Sequence, residues 1–192
     1  MHYVEMVATV TGLIQGVLIM MNKKSNWIFH LISNVCLVIF SFYTKLYADG
    51  FETALYVMLS LWGLVSWYKV KEKHIEWCSN KERLIYFSLI MVLWAVLYSI
   101  LIRTDDVQPV LDSFTTASGL TATLMMANKK VDSWIVWFIN DITYVYVYFT
   151  LETPALGLTL MNLFWVFMAV GSLITWSKEV NKQRVKEEAA NE

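Results

Sequence analysis

Apolar residues fall in seven long runs along this chain, with polar residues marking the gaps. The runs cover residues 4–21, 27–44, 50–68, 84–102, 108–127, 133–150 and 155–177. As helices they match the ~17–25 residues needed to cross a bilayer. The gaps are Asn22-Lys-Lys-Ser-Asn, Lys45-Leu-Tyr-Ala-Asp-Gly, the charged run from Lys69 to Arg83, Arg103-Thr-Asp-Asp, Asn128-Lys-Lys-Val-Asp and Glu152-Thr-Pro, and a polar tail follows Trp176. Backbone in hydrocarbon must satisfy its own hydrogen bonds, which helices do. The pattern therefore predicts an all-α integral membrane fold with seven transmembrane helices.

The pattern also repeats. Thr11-Gly12-Leu13, Asn22-Lys23-Lys24 and Trp27 return as Ser118-Gly119-Leu120, Asn128-Lys129-Lys130 and Trp134. The offset is 107 at Gly12/Gly119 and at Trp27/Trp134, with one residue of slippage at the Asn-Lys-Lys gap. Helices 1–3 and 5–7 read as two copies. A three-helix unit followed directly by its copy would be inverted, and helix 4 restores the parallel orientation. The expected layout is a 3+1+3 parallel repeat, with a substrate site near midplane between the copies. It divides the chain into a first repeat (1–68), a cytoplasmic loop (69–83), a linker helix (84–102), a second repeat (103–177) and a cytoplasmic tail (178–192).

Composition agrees. The 192 residues are 57% hydrophobic and 16% charged, against about a quarter charged in soluble domains. The net charge of −1 identifies no partner, but the placement of the basic residues is informative. Lys23, Lys24, Lys69, Lys71, Lys73, Lys81, Arg83, Lys129, Lys130, Lys178, Lys182, Arg184 and Lys186 fall on one side of a seven-helix layout, and Lys45 and Arg103 on the other. The positive-inside rule puts the N-terminus outside and the C-terminus in the cytoplasm. No basic stripe points to nucleic acid. Cys36 and Cys78 have no metal or disulfide spacing and read as free thiols, and the N-terminus does not resemble a cleaved signal peptide.

Polar residues within the spans recur at steps of three and four, so they share helix faces. Helix 6 carries Trp134, Trp137, Asp141, Tyr144 and Tyr148, with Asn140 beside them. Helix 2 carries Trp27, His30, Asn34 and Ser41; helix 3 carries Thr53, Tyr56, Ser60, Gly63 and Trp67. Helix 7 carries Asn162, Trp165 and Trp176, and helix 1 carries Glu5, Gly12 and Gln15. Polar groups inside a bilayer normally face a protein interior or a cavity. Aromatic rings can stack on a flat ring or hold a cation, while Asn, Gln and Thr bond to hydroxyls and amides. The lining therefore suits a flat, neutral or cationic, hydrogen-bonding solute.

Structural readings stand beside these. Trp27, Trp67, Trp134 and Trp176 lie near helix ends, where tryptophan often anchors at the membrane interface. His30 can bond to a neighbouring helix. Glu5 and Asp112 open helices, where a carboxylate suits the dipole. Gly12 and Gly16 form a GxxxG pair suited to close packing. The run from Lys69 to Arg83 reads as a solvated loop, and the tail as an extension of helix 7 into water. No nucleotide-binding GxxxxGK[ST], HExxH or CxxC occurs, and helix 7 has no intramembrane lysine for a retinal Schiff base. No cofactor or metal is expected.

With these residues in view, the chain resembles the PnuC family of bacterial vitamin and nucleoside transporters over essentially its whole length. The resemblance is carried by Glu5 with Thr11-Gly12, by Tyr47-Ala-Asp with Tyr56, Gly63 and Trp67, and by Trp134-x-x-Trp137 with Asn140-Asp141. It implies an enlarged relative of the SWEET sugar transporters. Such a protein would be a homotrimer in the bacterial inner membrane and would work by facilitated diffusion, with a cytoplasmic kinase trapping the product. Nicotinamide riboside is the leading substrate, thiamine or a deoxynucleoside the alternative, and a seven-helix sensor the alternative from another class. Trp134, Trp137 and Tyr144 are expected to wall the ring. Asn140 and Asp141 are expected to bond to ribose or amide, with Thr53, Tyr56, Asn34 and His30 contributing from the first repeat. Thr53 stands where nicotinamide riboside members carry Gln, and Leu64 where a tryptophan often follows the glycine.

Overall fold

The computed structural model describes residues 2–69, 74–104, 107–151 and 155–190, with only the backbone described at 47, 48 and 190. Lys71, Lys73, Asp105, Asp106 and the Glu152-Thr-Pro break lie outside the described residues. Seven helices follow one another: α1 (His2–Met20), α2 (Asn26–Tyr43), α3 (Tyr47–Lys69), α4 (Asn80–Leu101), α5 (Pro109–Ala127), α6 (Ser133–Phe149) and α7 (Leu156–Ala190). No strand occurs among the described residues. Each helix overlaps its predicted run. Of the seven, α1, α2, α4 and α7 are long and apolar enough to cross a membrane, and α7 runs on through the polar tail.

Local chemistry sets the helix ends. Pro109 opens α5, at the first helical position, where a missing N–H costs nothing. Ser79 and Glu82 form a capping box ahead of α4. Glu5 and Asp112 lie in the first turns of α1 and α5. Beyond α1, Asn22 takes φ 54° and the N–H of Lys23 returns to the carbonyl of Leu18 at 2.9 Å. Beyond α5, Lys129 takes φ 57° and the N–H of Lys130 returns to that of Met125 at 3.0 Å. Both are left-handed helix caps. Their residues are 107 apart throughout, so the slippage inferred at the Asn-Lys-Lys gap is corrected: Asn22 corresponds in backbone to Lys129, not to Asn128.

The chain divides into two compact units. The first comprises residues 1–74 with 127–129, the second 75–126 with 130–192. In the first, α1 packs on α2 and α2 on α3. Ser33 on α2 donates from Oγ to the carbonyl of Ala8 on α1 at 2.8 Å, opposite Gly12, where a Cβ would lie 3.3 Å from Ser33 Oγ. Trp27 and Trp67 meet edge to face at 5.9 Å. Gly63 makes room for them, because a Cβ there would lie 2.3 Å from the Trp27 ring.

In the second unit α6 packs on α7. Asn140 on α6 donates from Nδ2 to the carbonyl of Thr115 on α5 at 2.6 Å and to Ser118 Oγ at 2.8 Å. Trp134 and Trp176 meet edge to face at 5.4 Å. Trp94 on α4 donates to the carbonyl of Val110 at 3.0 Å and packs on Phe114. Trp27, Trp67, Trp134 and Trp176 are all buried. The interfacial-anchor reading of these four tryptophans is therefore corrected: their indoles fill the interior of their own unit.

Candidate functional site

The stripe on α6 exists, but its members have different surroundings. Trp134 is committed to Trp176 and borders an apolar cleft with Phe138, Val170 and Leu173. Asn140 is fully buried, with its amide N–H groups holding α5 while Oδ1 has no hydrogen-bond partner. Trp137 is half-buried. One turn further on, Asp141 is buried with neither a hydrogen bond nor an ion pair among the described residues. Tyr144 and Tyr148 follow, both half-buried, with rings stacked at 5.7 Å and 9°. This face therefore offers an indole, a carboxylate lacking a counter-charge and a phenol pair. A buried carboxylate without a partner is costly, so it marks a place where a cationic or hydroxyl-rich solute would be stabilised.

The candidates on α2 and α3 form a second cluster, inside the first unit. His30 Nδ1 lies 2.6 Å from Ser60 Oγ, and the imidazole meets the rings of Trp27 at 5.6 Å and Tyr56 at 6.3 Å, edge to face in both cases. Asn34 donates from Nδ2 to the carbonyl of His30 at 2.8 Å, so this amide is partly spent on its own helix. Thr53 donates its hydroxyl proton to the carbonyl of Asp49 at 2.7 Å, which leaves lone pairs for a solute and no donor.

A third constellation was not foreseen. The described part of the Lys69–Arg83 run is mostly exposed, as a solvated loop would be, but residues 75–83 are also tied to Lys130, Val131 and Asp132. Ile75 and Cys78 are buried. Glu76 pairs with Lys130 as an isolated bridge, and the N–H of Val131 donates to the carbonyl of Glu76 at 3.0 Å. The ammonium of Lys130 lies 2.6 Å from Glu76 Oε1 and 2.5 Å from Glu82 Oε1. Asp132 accepts from Arg83 Nε at 2.8 Å and from the backbone N–H of Cys78 at 2.7 Å. Burial lowers the Lys130 pKa, but the hydrogen bonds to Glu76 and Glu82 outweigh it and hold the ammonium above its usual range. The hydrogen bond from Lys130, followed by that from the Ser79 backbone, brings Glu82 down to about 2. Burial first, then the charge of Asp132, pushes the Cys78 thiol up to about 12. Loop charges normally stay in water, so this pairing was invisible in sequence. The available signal was that Glu76 and Glu82 are opposite in charge to Lys130, and Arg83 to Asp132.

Sequence reasoning also passed over α5. Ser113, Thr115, Ser118, Thr121 and Thr123 are all buried. Their hydroxyls return mainly to carbonyls of their own helix. The signal was present as a density of small hydroxyl residues in an otherwise apolar run.

Comparison with known proteins bears on what these units do. Residues 2–178 match the family described as Nicotinamide mononucleotide transporter. The Nicotinamide riboside transporter PnuC of Neisseria mucosa is 25% identical over 190 residues, covering 92% of this chain and 72% of the relative. The crystal structure of the Vitamin B3 transporter PnuC matches with a TM-score of 0.74 at 25% identity, covering 94% of this chain and 83% of that one. On a match that takes in nearly every helix, the chain belongs to the nicotinamide mononucleotide transporter family, that of PnuC.

Proposed function

We propose that this protein imports nicotinamide riboside across the bacterial inner membrane by facilitated diffusion. The observation that carries the substrate is Asp141, a buried carboxylate without a partner among the described residues, one turn from the half-buried indole of Trp137. Nicotinamide riboside has a flat cationic ring and ribose hydroxyls, and an indole face and a carboxylate are the groups that recognise those features. The family name points to a nucleotide, but the seven apolar runs contain no Lys or Arg. A phosphate would therefore find no charge-assisted partner in them. A nucleoside fits better. Trp134, Asn140 and Tyr144 are proposed to serve with Trp137 and Asp141, and His30, Asn34, Thr53 and Tyr56 to act from the first unit.

The proposed arrangement is a 3+1+3 parallel repeat. It is supported by the Ser33–Ala8 and Asn140–Thr115 hydrogen bonds, whose residues are 107 apart, by the matching caps at Asn22 and Lys129, and by the two tryptophan pairs. The N-terminus is proposed to lie outside and the C-terminus in the cytoplasm, with a homotrimeric assembly and a kinase trapping the product. Thiamine is the second reading, favoured by Thr53, whose side chain lacks the paired groups that would match a carboxamide. Titrating the purified protein with nicotinamide riboside, nicotinamide mononucleotide, thiamine and thymidine tests the substrate. Nicotinamide riboside should bind tightest, and Trp137→Ala should weaken it by the equivalent of ~1–3 kcal/mol. Uptake into liposomes should equilibrate without ATP, sodium or a proton gradient. Accumulation above the outside concentration only under a proton gradient would refute facilitated diffusion.

A further inference from the structure

We infer that His30 is a hydrogen-bond acceptor for the transported molecule, and that Ser60 is the positioning residue that makes it one. The argument counts protons. Ser60 Oγ lies 2.6 Å from the carbonyl oxygen of Tyr56. Two oxygens this close share a proton, the carbonyl has none, and the single hydroxyl proton of Ser60 is therefore committed there. The same Oγ lies 2.6 Å from His30 Nδ1. That contact also needs a proton, and only the imidazole can supply it. His30 thus carries its proton on Nδ1 and donates it to Ser60. In the neutral ring Nε2 is then a bare lone pair, and it has no hydrogen-bond partner among the described residues.

The surroundings fix this state. Ser60 is fully buried, so its hydroxyl has no water to turn toward. The ring is held edge-on by Trp27 and Tyr56. His30 itself is only half-buried, so its free nitrogen remains accessible. The ligand chemistry it selects is an uncharged O–H or N–H donor, such as a ribose hydroxyl or a carboxamide. The residue 107 further on, in the place corresponding to His30, is Trp137. The inference rests on the transport reading for its ligand, but its tautomer holds independently.

Nitrogen-15 spectra of histidine-labelled protein in lipid test both parts. The chain has three histidines, and the His30 signals are assigned by their loss in His30→Gln. Without ligand, Nδ1 should be protonated and Nε2 bare. Nicotinamide riboside at saturation should shift Nε2 as it accepts a hydrogen bond and leave Nδ1 nearly unmoved. Ser60→Ala should give a mixture of tautomers and weaken binding about three- to tenfold, the worth of one net hydrogen bond. A proton on Nε2 in the ligand-free spectrum overturns the positioning role. Nicotinamide riboside that binds in the titration and leaves Nε2 unmoved overturns the acceptor role while leaving the transport reading intact. If nicotinamide riboside, thiamine and thymidine all fail to bind, the transport reading fails and takes the acceptor role with it, while the tautomer is still decided by the ligand-free spectrum.

Discussion

Gly63→Ala should destabilise this protein although alanine is the better helix former. A Cβ at Gly63 would lie 2.3 Å from Trp27 Cδ2 and Cε3 and 2.5 Å from Cε2. Non-bonded carbons settle at about 3.5–4.0 Å, so the shortfall exceeds ~1 Å. The indole has little room to retreat, being fully buried with its ring edge-on to Trp67 and His30. Overpacking a core typically costs ~1–3 kcal/mol, and a fixed ring puts this site at the upper end. Replacing a helical glycine returns ~1 kcal/mol. The net loss is therefore about 2 kcal/mol, or a fall in Tm of about 4–8 °C for a chain of this size. The assay is thermal unfolding in detergent, followed by near-ultraviolet circular dichroism. Gly157→Ala is the control, because nothing lies within 4 Å of its added Cβ, and it should unfold at or slightly above the wild-type temperature. Trp27→Phe added to Gly63→Ala should recover part of the loss, since a smaller ring relieves the same overlap. A Gly63→Ala protein as stable as wild type would refute the reasoning.

Four further outcomes are expected. Lys130→Met should move acid unfolding to higher pH. Glu82 has a lower pKa in the folded chain than its usual 4.5, so its stabilisation is complete above that value and lost as pH falls toward about 2; an unchanged acid midpoint would dissociate Lys130 from this effect. Cys78, buried and with its thiol pushed up to about 12, should resist impermeant thiol reagents added to either side. Exposed Lys81, changed to Cys in a protein lacking Cys36 and Cys78, should be labelled only in opened cells, and labelling in intact cells would refute the proposed topology. Thr53→Gln should raise the affinity for nicotinamide riboside relative to thiamine, because an amide supplies the donor that Thr53 has spent on Asp49; no change in the ratio of the two affinities, measured by titration, would place Thr53 outside the site.

Seven helices were legible in the sequence because hydrocarbon-length apolar runs and the polar gaps between them are local properties. The same holds for the faces on α2, α3 and α6, since helical spacing alone puts Trp137, Asp141 and Tyr144 in one stripe. Spacing cannot say what a face meets. Trp134 and Trp137 look alike three residues apart, yet one is sealed against Trp176 and the other is half-open. Asn140 and Asp141 are neighbours in sequence, but the first is tied to α5 while the second has no partner among the described residues. The tautomer of His30 depends on a hydroxyl thirty residues away. The ion pairs of Lys130 and Asp132 join segments about fifty residues apart. Periodicity is set by the helix, but partners are set by which helices pack and how closely. That closeness was decided by glycines such as Gly12 and Gly63, whose purpose shows only when Ser33 and Trp27 are seen to fill the space they leave.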